Sequence, residues 1–405
     1  MTVETQTKTK HQIIEEFIQA SLPKYQALAL DIHEHPEVSN YEVYSSQVLV
    51  DQLLAEGFDV KKDVAGHHTG FDARYKSGKP GPTLSFLAEY DALPGIGHAC
   101  GHNLFGNYSA LAASALKQVI DEVGGEIRVY GTPGEEGGEN GSAKGSFVRE
   151  GFFEDVDAAL CIHPGHRYSK TSTGLANDPV DINFYGRASH AAGAPEKGIN
   201  ALEAVIQVFN SINALRLHLP KDVNIHGVIT NGGVAANVVP DFASARFYLR
   251  AANRSTLNEV YAKVENIVKA AALATGATYE FGLFQNSVDD IIVTDSFDEL
   301  FFSHAASSGV PVEEIVETKK QSLGSSDVGN VSQVIPTIQP TVSISDNYIA
   351  GHSIEFKAAA RSEKGLNSIG IAANLLAKTA LDLLEQPELL EKIKKDHQAS
   401  LAKGN

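Results

Sequence analysis

The chain of 405 residues is 43% hydrophobic and carries a formal charge of −17, more length than one hydrophobic core usually organises and the wrong sign of charge for nucleic acid or an anionic membrane. No apolar run approaches the ~18 residues of a membrane span, and Met1 to Lys10 lacks the apolar stretch of a secretory signal, so a cytoplasmic protein acting on a small solute is expected. The two cysteines, Cys100 and Cys161, are too few for a disulfide framework and suit a reducing compartment.

The first eighty residues read as helices: Ile13, Ile14, Phe17 and Ile18 share one face, Val48, Leu49, Leu53 and Leu54 repeat the spacing, and Asp31-Ile-His-Glu-His-Pro36 interrupts them. Three short apolar runs follow, Thr83 to Tyr90, Glu126 to Tyr130 and Ala158 to His163, with helical stretches such as Leu104 to Ile120 between them. Strands alternating with helices predict an α/β fold, a mainly parallel sheet flanked by helices. Ligands of such sheets bind beyond the carboxyl ends of the strands. Each of the three runs leads into ligand-type residues there: Asp91 to His102, Glu135-Glu136, and His163.

From about Gly174 the pattern becomes a strand (Val180 to Tyr185), a helix (Asn200 to Arg216), two strands near Val228 and Ala245, and a second helix (Leu257 to Ala274). The α/β pattern resumes near Ser287 and ends in a helix from Leu366 to Leu384. This predicts a discontinuous catalytic domain, residues 1–175 and 288–405, interrupted by an α+β dimerisation or lid domain at 176–287.

Asp91-Ala-Leu-Pro-Gly-Ile-Gly-His-Ala-Cys-Gly-His102 puts a carboxylate, two imidazoles and a thiol on a glycine-rich loop, with Cys100 and His102 suited to zinc or its neighbours. In Gly134-Glu-Glu-Gly-Gly138 adjacent carboxylates can converge, one on a metal while the other takes a proton from a water and returns it to a leaving amine. Taken singly, these segments also read as a loop with an incidental cysteine and as a solvated acidic turn. His163 leaves a buried strand at the same edge, and His352 lies in Ala350-Gly-His-Ser353; Cys161 reads as core.

Asp91-Ala-Leu-Pro94, His98-Ala-Cys-Gly-His102, Glu135-Glu-Gly-Gly138, Ser189-His-Ala191, Asn237-Val-Val-Pro-Asp241 and Gly351-His352 occur in an order that resembles the aminoacylase-type metallopeptidases of family M20 over nearly the whole chain. The likeness is to its amidohydrolase branch, which holds the p-aminobenzoyl-glutamate hydrolases. It implies a zinc-peptidase-like catalytic domain that hydrolyses small N-acyl amino acids or dipeptides. Within it, Asp91 orients a metal ligand, Glu135 is the general base and acid, and Cys100, His102, Glu136, His163 and His352 hold one or two divalent ions, zinc or manganese. Many relatives have a histidine at the place of Glu89 and a bridging aspartate at that of Cys100, so this chain departs from them at two positions. The resemblance also implies a homodimer or higher homo-oligomer in which His190 reaches the neighbouring subunit's site and polarises the scissile carbonyl, with Asn237 contacting substrate.

Arg246 and Arg250 share a strand face, where either grips a substrate carboxylate or both lie on an exposed sheet surface. Gly324-Ser-Ser-Asp-Val-Gly329 reads as a substrate-side loop or a plain turn. Two rival functions stand beside amide hydrolysis: a non-catalytic metal-binding or regulatory scaffold of the same fold, and a glycosidase using Glu135 and Glu136, which would leave five candidate ligands unused.

Overall fold

The structure is a computed structural model that describes residues 8–317 and 324–403; most of the Met1 to Lys10 segment, residues 1–7, lies outside the described residues. Contacts divide the chain into two compact units. The first takes the chain up to Thr173 and resumes at Ile291 and again at Asp327; the second takes Gly174–Asp290 and the short stretch just before Asp327.

In the first unit, α1 (Lys10–Glu34) opens on a capping box, Thr9 accepting from the Gln12 amide while the Gln12 side chain accepts from the Thr9 amide. After α2 (Val43–Ala55) the helical expectation fails. Asp59–Val64 (β1) and His67–Lys76 (β2) form an antiparallel hairpin. Its loop is Ala65 (φ 54°) and Gly66 (φ 75°), two consecutive left-handed residues whose twist matches that of the paired strands. Then follow β3 (Thr83–Ala88), α3 (His102–Val123), β4 (Glu126–Gly131), α4 (Ala143–Arg149), β5 (Ala158–Leu160) and β6 (His163–Gly165).

The second unit is a four-stranded antiparallel sheet with two helices. It runs β7 (Ala176–Tyr185), α5 (Ala201–Arg216), β8 (Asn224–Asn231), β9 (Phe242–Ala251), α6 (Arg254–Thr275) and β10 (Thr278–Leu283), in the spatial order β10-β7-β9-β8. In β9, Ala245, Phe247, Leu249 and Ala251 pack with Val205, Val208, Val260 and Val264 of the helices. The alternate residues Arg246, Tyr248 and Arg250 occupy the opposite, half-buried face. β8 is an edge strand with Val228 and Ile229 exposed.

The first unit resumes with α7 (Asp295–Ser303), α8 (Val328–Ser332), β11 (Thr337–Ile338), β12 (Thr341–Ser343), α9 (Ile354–Ala359), α10 (Glu363–Glu385) and α11 (Pro387–Lys403). The last helix lies beyond the expected end at Leu384. Leu390 and Ile393 bury its apolar side in the main core.

Its six-stranded sheet has the order β1-β2-β4-β3-β5-β11. β4, β3, β5 and β11 are parallel, and the hairpin joins antiparallel at one edge. Strand periodicity divides the core: Leu84, Phe86, Ile127, Val129, Ala158 and Leu160 face α1, α3 and α10, while Leu87, Tyr130, Ala159 and Cys161 face α4 and α8. Burial of strands on both faces explains their nearly continuous apolar sequence. The chain leaves β3 for β4 on one flank and returns as β5 on the other, so strand order reverses at β3, where open α/β sheets form a ligand crevice beyond the strand ends. Among the described residues no helix is long and apolar enough to cross a membrane.

Candidate metal centre

Beyond the carboxyl ends of β3, β4 and β5 the first unit gathers Asp91, Cys100, His102, Glu135, Glu136 and His163, with His352 joining from the loop before α9. His102 opens α3, and the preceding Gly101 has φ 79°. A Cβ on Gly101 would come within 2.6 Å of Pro164 Cγ, so both backbone geometry and space call for glycine between the thiol and the imidazole.

The buried His102 and the half-buried His163 are both oriented by their Nδ1 atoms. His102 Nδ1–H donates to Asp91 Oδ1 at 2.9 Å, and His163 Nδ1–H donates to the Pro164 carbonyl at 2.7 Å. Both Nε2 lone pairs are thereby available, as in carboxylate–histidine–metal arrangements. Cys100 Sγ is 3.5 Å from His163 Nε2, and the donor atoms of Cys100, His102 and His163 lie within 4.8 Å of one another. Cys100, Glu136 and His352 meet the same limit, with His352 Nε2 3.4 Å from Glu136 Oε2. Cys100 belongs to both groups. His352 holds φ at 61° while its amide donates to the Ala99 carbonyl, a strained backbone position tied to the cysteine loop. His98 is buried against His33 and enters no donor group among the described residues.

These donors fit a divalent cation. His102 Nε2 and Glu136 Oε1 are buried without a hydrogen-bond partner, which is costly unless a ligand completes them. The donor chemistry is a thiol, three imidazoles and a carboxylate, the set used by first-row transition metals.

Glu135 Oε2 lies 3.9 Å from His102 Nε2. Burial, then the charges of Glu89 and Glu136, raise its carboxyl well above the ordinary range. Burial likewise raises Glu136 and Cys100 and lowers His163 to about 4. Asp91 also receives the Glu136 amide on Oδ2 at 2.9 Å, so one carboxylate orients His102 and fixes the next loop.

Two buried residues that sequence reasoning left aside, Glu42 and Lys144, support this arrangement. Glu42 accepts from the Gly134 amide and the Thr69 hydroxyl, both at 2.9 Å, and anchors the loop bearing Glu135 and Glu136. Lys144 lies 2.7 Å from Glu89 Oε1 and 2.6 Å from Asp327 Oδ1, with all three side chains 0% exposed. Glu89 thus stands in an ion pair, its other oxygen 3.2 Å from His102 Nε2. Asp327 comes from the segment read as a substrate-side loop or plain turn; its side chain is in the core.

The remaining predicted residues belong to the second unit. His190 is exposed, and its Nδ1 accepts from the amides of Ala192 (3.2 Å) and Gly193 (3.0 Å), leaving the proton on Nε2. Asn237 is exposed, and its carbonyl accepts from the Ala191 amide. Arg246 departs from expectation because its guanidinium is already held by Asp181, at 2.6 and 2.7 Å, beneath a cation–π contact with Phe284. Register explains this: Asp181 lies directly opposite Arg246 in the β7–β9 pair. Arg250 has no carboxylate partner among the described residues; one nitrogen donates to Ser325 and its Nε is buried without an acceptor.

Residues 179–276 match the family model described as a peptidase dimerisation domain. The chain is 32% identical to the human Xaa-Arg dipeptidase over 95% of its own length and 91% of the relative's. It is 30% identical to a p-aminobenzoyl-glutamate hydrolase polypeptide of Escherichia coli, over 96% and 95% respectively. A Bacillus subtilis protein described as a dinuclear metal binding peptidase from the M20 family superposes with a TM-score of 0.63 at 21% identity, covering 91% of this chain and 99% of that one. Identity of this extent over nearly the full length of two amide-cleaving enzymes, together with a centre of thiol, imidazole and carboxylate groups, places the chain in the M20 family of metallopeptidases.

Proposed function

We propose that this enzyme hydrolyses the amide bond of small N-acyl amino acids or dipeptides, with Cys100, His102, Glu136, His163 and His352 holding one or two divalent ions and Glu135 handling the proton. The observation carrying this reading is the convergence of His102 and His163, each fixed through Nδ1, on Cys100 beside a desolvated Glu135. Zinc or manganese would suit the site, the thiolate favouring zinc, and Cys100 would serve as a ligand together with His102 and His163 or with Glu136 and His352. When bound, the cation supplies Lewis acidity to a water and to the scissile carbonyl.

The protein residues divide the remaining work. Asp91 holds His102 in one tautomer, and Glu42 and Asp91 hold the Glu135 loop. Glu135 accepts the proton of the attacking water and delivers it to the leaving nitrogen. His190, with its proton on Nε2, donates to the developing oxyanion in a neighbouring subunit, and Asn237 contacts substrate. Arg250, rather than Arg246, receives the substrate carboxylate. The exposed edge of β8 supports pairing of two subunits through the dimerisation domain, and the cysteine usage supports a cytoplasmic setting.

The test is hydrolysis of a panel of N-acyl amino acids, dipeptides with basic carboxyl-terminal residues, and p-aminobenzoyl-glutamate by metal-loaded enzyme. At least one is cleaved at its amide bond, chelator abolishes turnover, and added zinc or manganese restores it. Turnover indifferent to exhaustive chelation would overturn the reading. Binding of metal with no hydrolysis across the panel would favour the scaffold alternative.

A further inference from the structure

The catalytic centre does not use a second group of histidines and carboxylate in the first unit. His11 lies in the first turn of α1, His304 caps the end of α7, and Asp382 lies in the last turn of α10. Residues from opposite ends of the chain are brought to one spot by the packing of these helices, and their donor atoms lie within 4.8 Å of one another. His304 Nε2 is 2.8 Å from Asp382 Oδ2; His11 Nε2 is 3.6 Å from Oδ1. The two rings meet edge to face with centroids 5.5 Å apart.

We propose that His11, His304 and Asp382 form a separate binding site for a divalent transition-metal ion, zinc or a close neighbour, that staples the start of α1 to the end of α10. A hydrogen-bonded His304–Asp382 pair by itself would explain one histidine. It leaves His11 only loosely engaged: its side chain is 41% exposed, yet its Nε2 atom is buried, has no hydrogen-bond partner, and faces the second carboxylate oxygen at 3.6 Å, within ion-pair reach but too long for a hydrogen bond. Tetrahedral zinc with bonds of about 2.0–2.1 Å separates neighbouring donors by about 3.3 Å. His11 Nε2 lies 3.6 Å from one Asp382 oxygen and His304 Nε2 2.8 Å from the other, so a modest shift of the side chains brings both nitrogens to such a spacing from a single oxygen once the His304 proton is displaced. Two nitrogens and one oxygen leave a coordination position for water.

The surrounding charges permit a cation. Lys10 is paired with Glu385 at 2.8 Å and Lys378, one turn before Asp382, with Glu15 at 2.6 Å. The carboxyl-terminal ends of α7 and α10 also present the negative poles of two helices.

The experiment measures bound zinc by elemental analysis after chelator treatment, zinc loading and dialysis, in wild type and in His11→Gln and His304→Gln. Wild type retains one equivalent more than either variant, and zinc raises the melting temperature of wild type more than theirs. To keep the catalytic centre out of the count, the same measurement is made in a Cys100→Ala/His102→Ala background. There cobalt binds with visible d–d bands but without thiolate charge transfer, and adding His304→Gln removes those bands. Equal zinc content in wild type and both glutamine variants, or cobalt bands unmoved by His304→Gln, overturns the site. The outcome is independent of the proposed catalytic reading because no arm measures turnover.

Discussion

At the scale of single residues, Glu135 and Asp298 show burial acting on carboxylates in two settings. Glu135→Ala should keep its metal content, because the donors survive, yet lose turnover by ~10²-fold or more, the usual worth of a positioned base. Elemental analysis beside steady-state kinetics checks this; an active variant with metal bound would mean another group moves the proton. Asp298, away from the centre, accepts from the Thr171 amide and hydroxyl while burial pushes its carboxyl up to about 7. A folded pKa above the unfolded value means that the unfolded chain releases its proton first as pH rises. Wild type therefore loses stability from this group between roughly pH 4 and 7, by up to about 1.4 kcal/mol per pH unit. Asp298→Asn retains an acceptor for Thr171 and removes the titration, so its melting temperature should gain on wild type as pH rises through that window. A constant difference across the same range would show that Asp298 ionises freely in the folded protein.

At the scale of elements, loops after parallel strands carry the centre, and helices and ion pairs beneath them hold its shape. Gly101→Ala should destabilise by about 2 kcal/mol or more through its positive φ and the contact with Pro164, and should lower metal content because Cys100 and His102 flank it. Lys144→Met should cost about 3–5 kcal/mol by leaving Glu89 and Asp327 as buried, uncompensated carboxylates; adding Asp327→Asn should recover part of the lost melting temperature. No recovery would mean the two are not energetically coupled. Glu135 and Glu136 are readable from sequence because they lie a few residues beyond an apolar strand, and Cys100 and His102 because they lie in the glycine-rich segment that follows another. The Lys144–Asp327 pair joins positions 183 residues apart, and neither has a neighbourhood that announces burial. The β1–β2 hairpin escapes such a reading because Asp59–Val64 holds only two apolar residues without regular alternation, leaving the short Ala-Gly turn as its main signal. Arg246 and Arg250 do share one face as the alternation implies, but only the β7–β9 register reveals that Asp181 already holds the first.

At the scale of the molecule, the second unit presents His190, Asn237 and Arg250, while the proposed metal donors belong to the first. The charge of −17 disfavours nucleic acid as a ligand, and the exposed β8 edge is the surface the proposed dimer would pair. If His190 serves the partner's site, two defects on different chains must complement. Glu135→Ala and His190→Ala homodimers should each be nearly inactive, since one lacks the base and the other the oxyanion donor. Unfolded together and refolded in equal amounts, half the dimers would be mixed. In each mixed dimer, the chain with intact Glu135 receives intact His190 from its partner, while the other site carries both defects. One good site in two, over half the population, restores roughly a quarter of wild-type sites. Turnover measured against total dimer, with sedimentation confirming assembly, tests this directly; no recovery in confirmed dimers would show that His190 acts within its own chain or only shapes its loop.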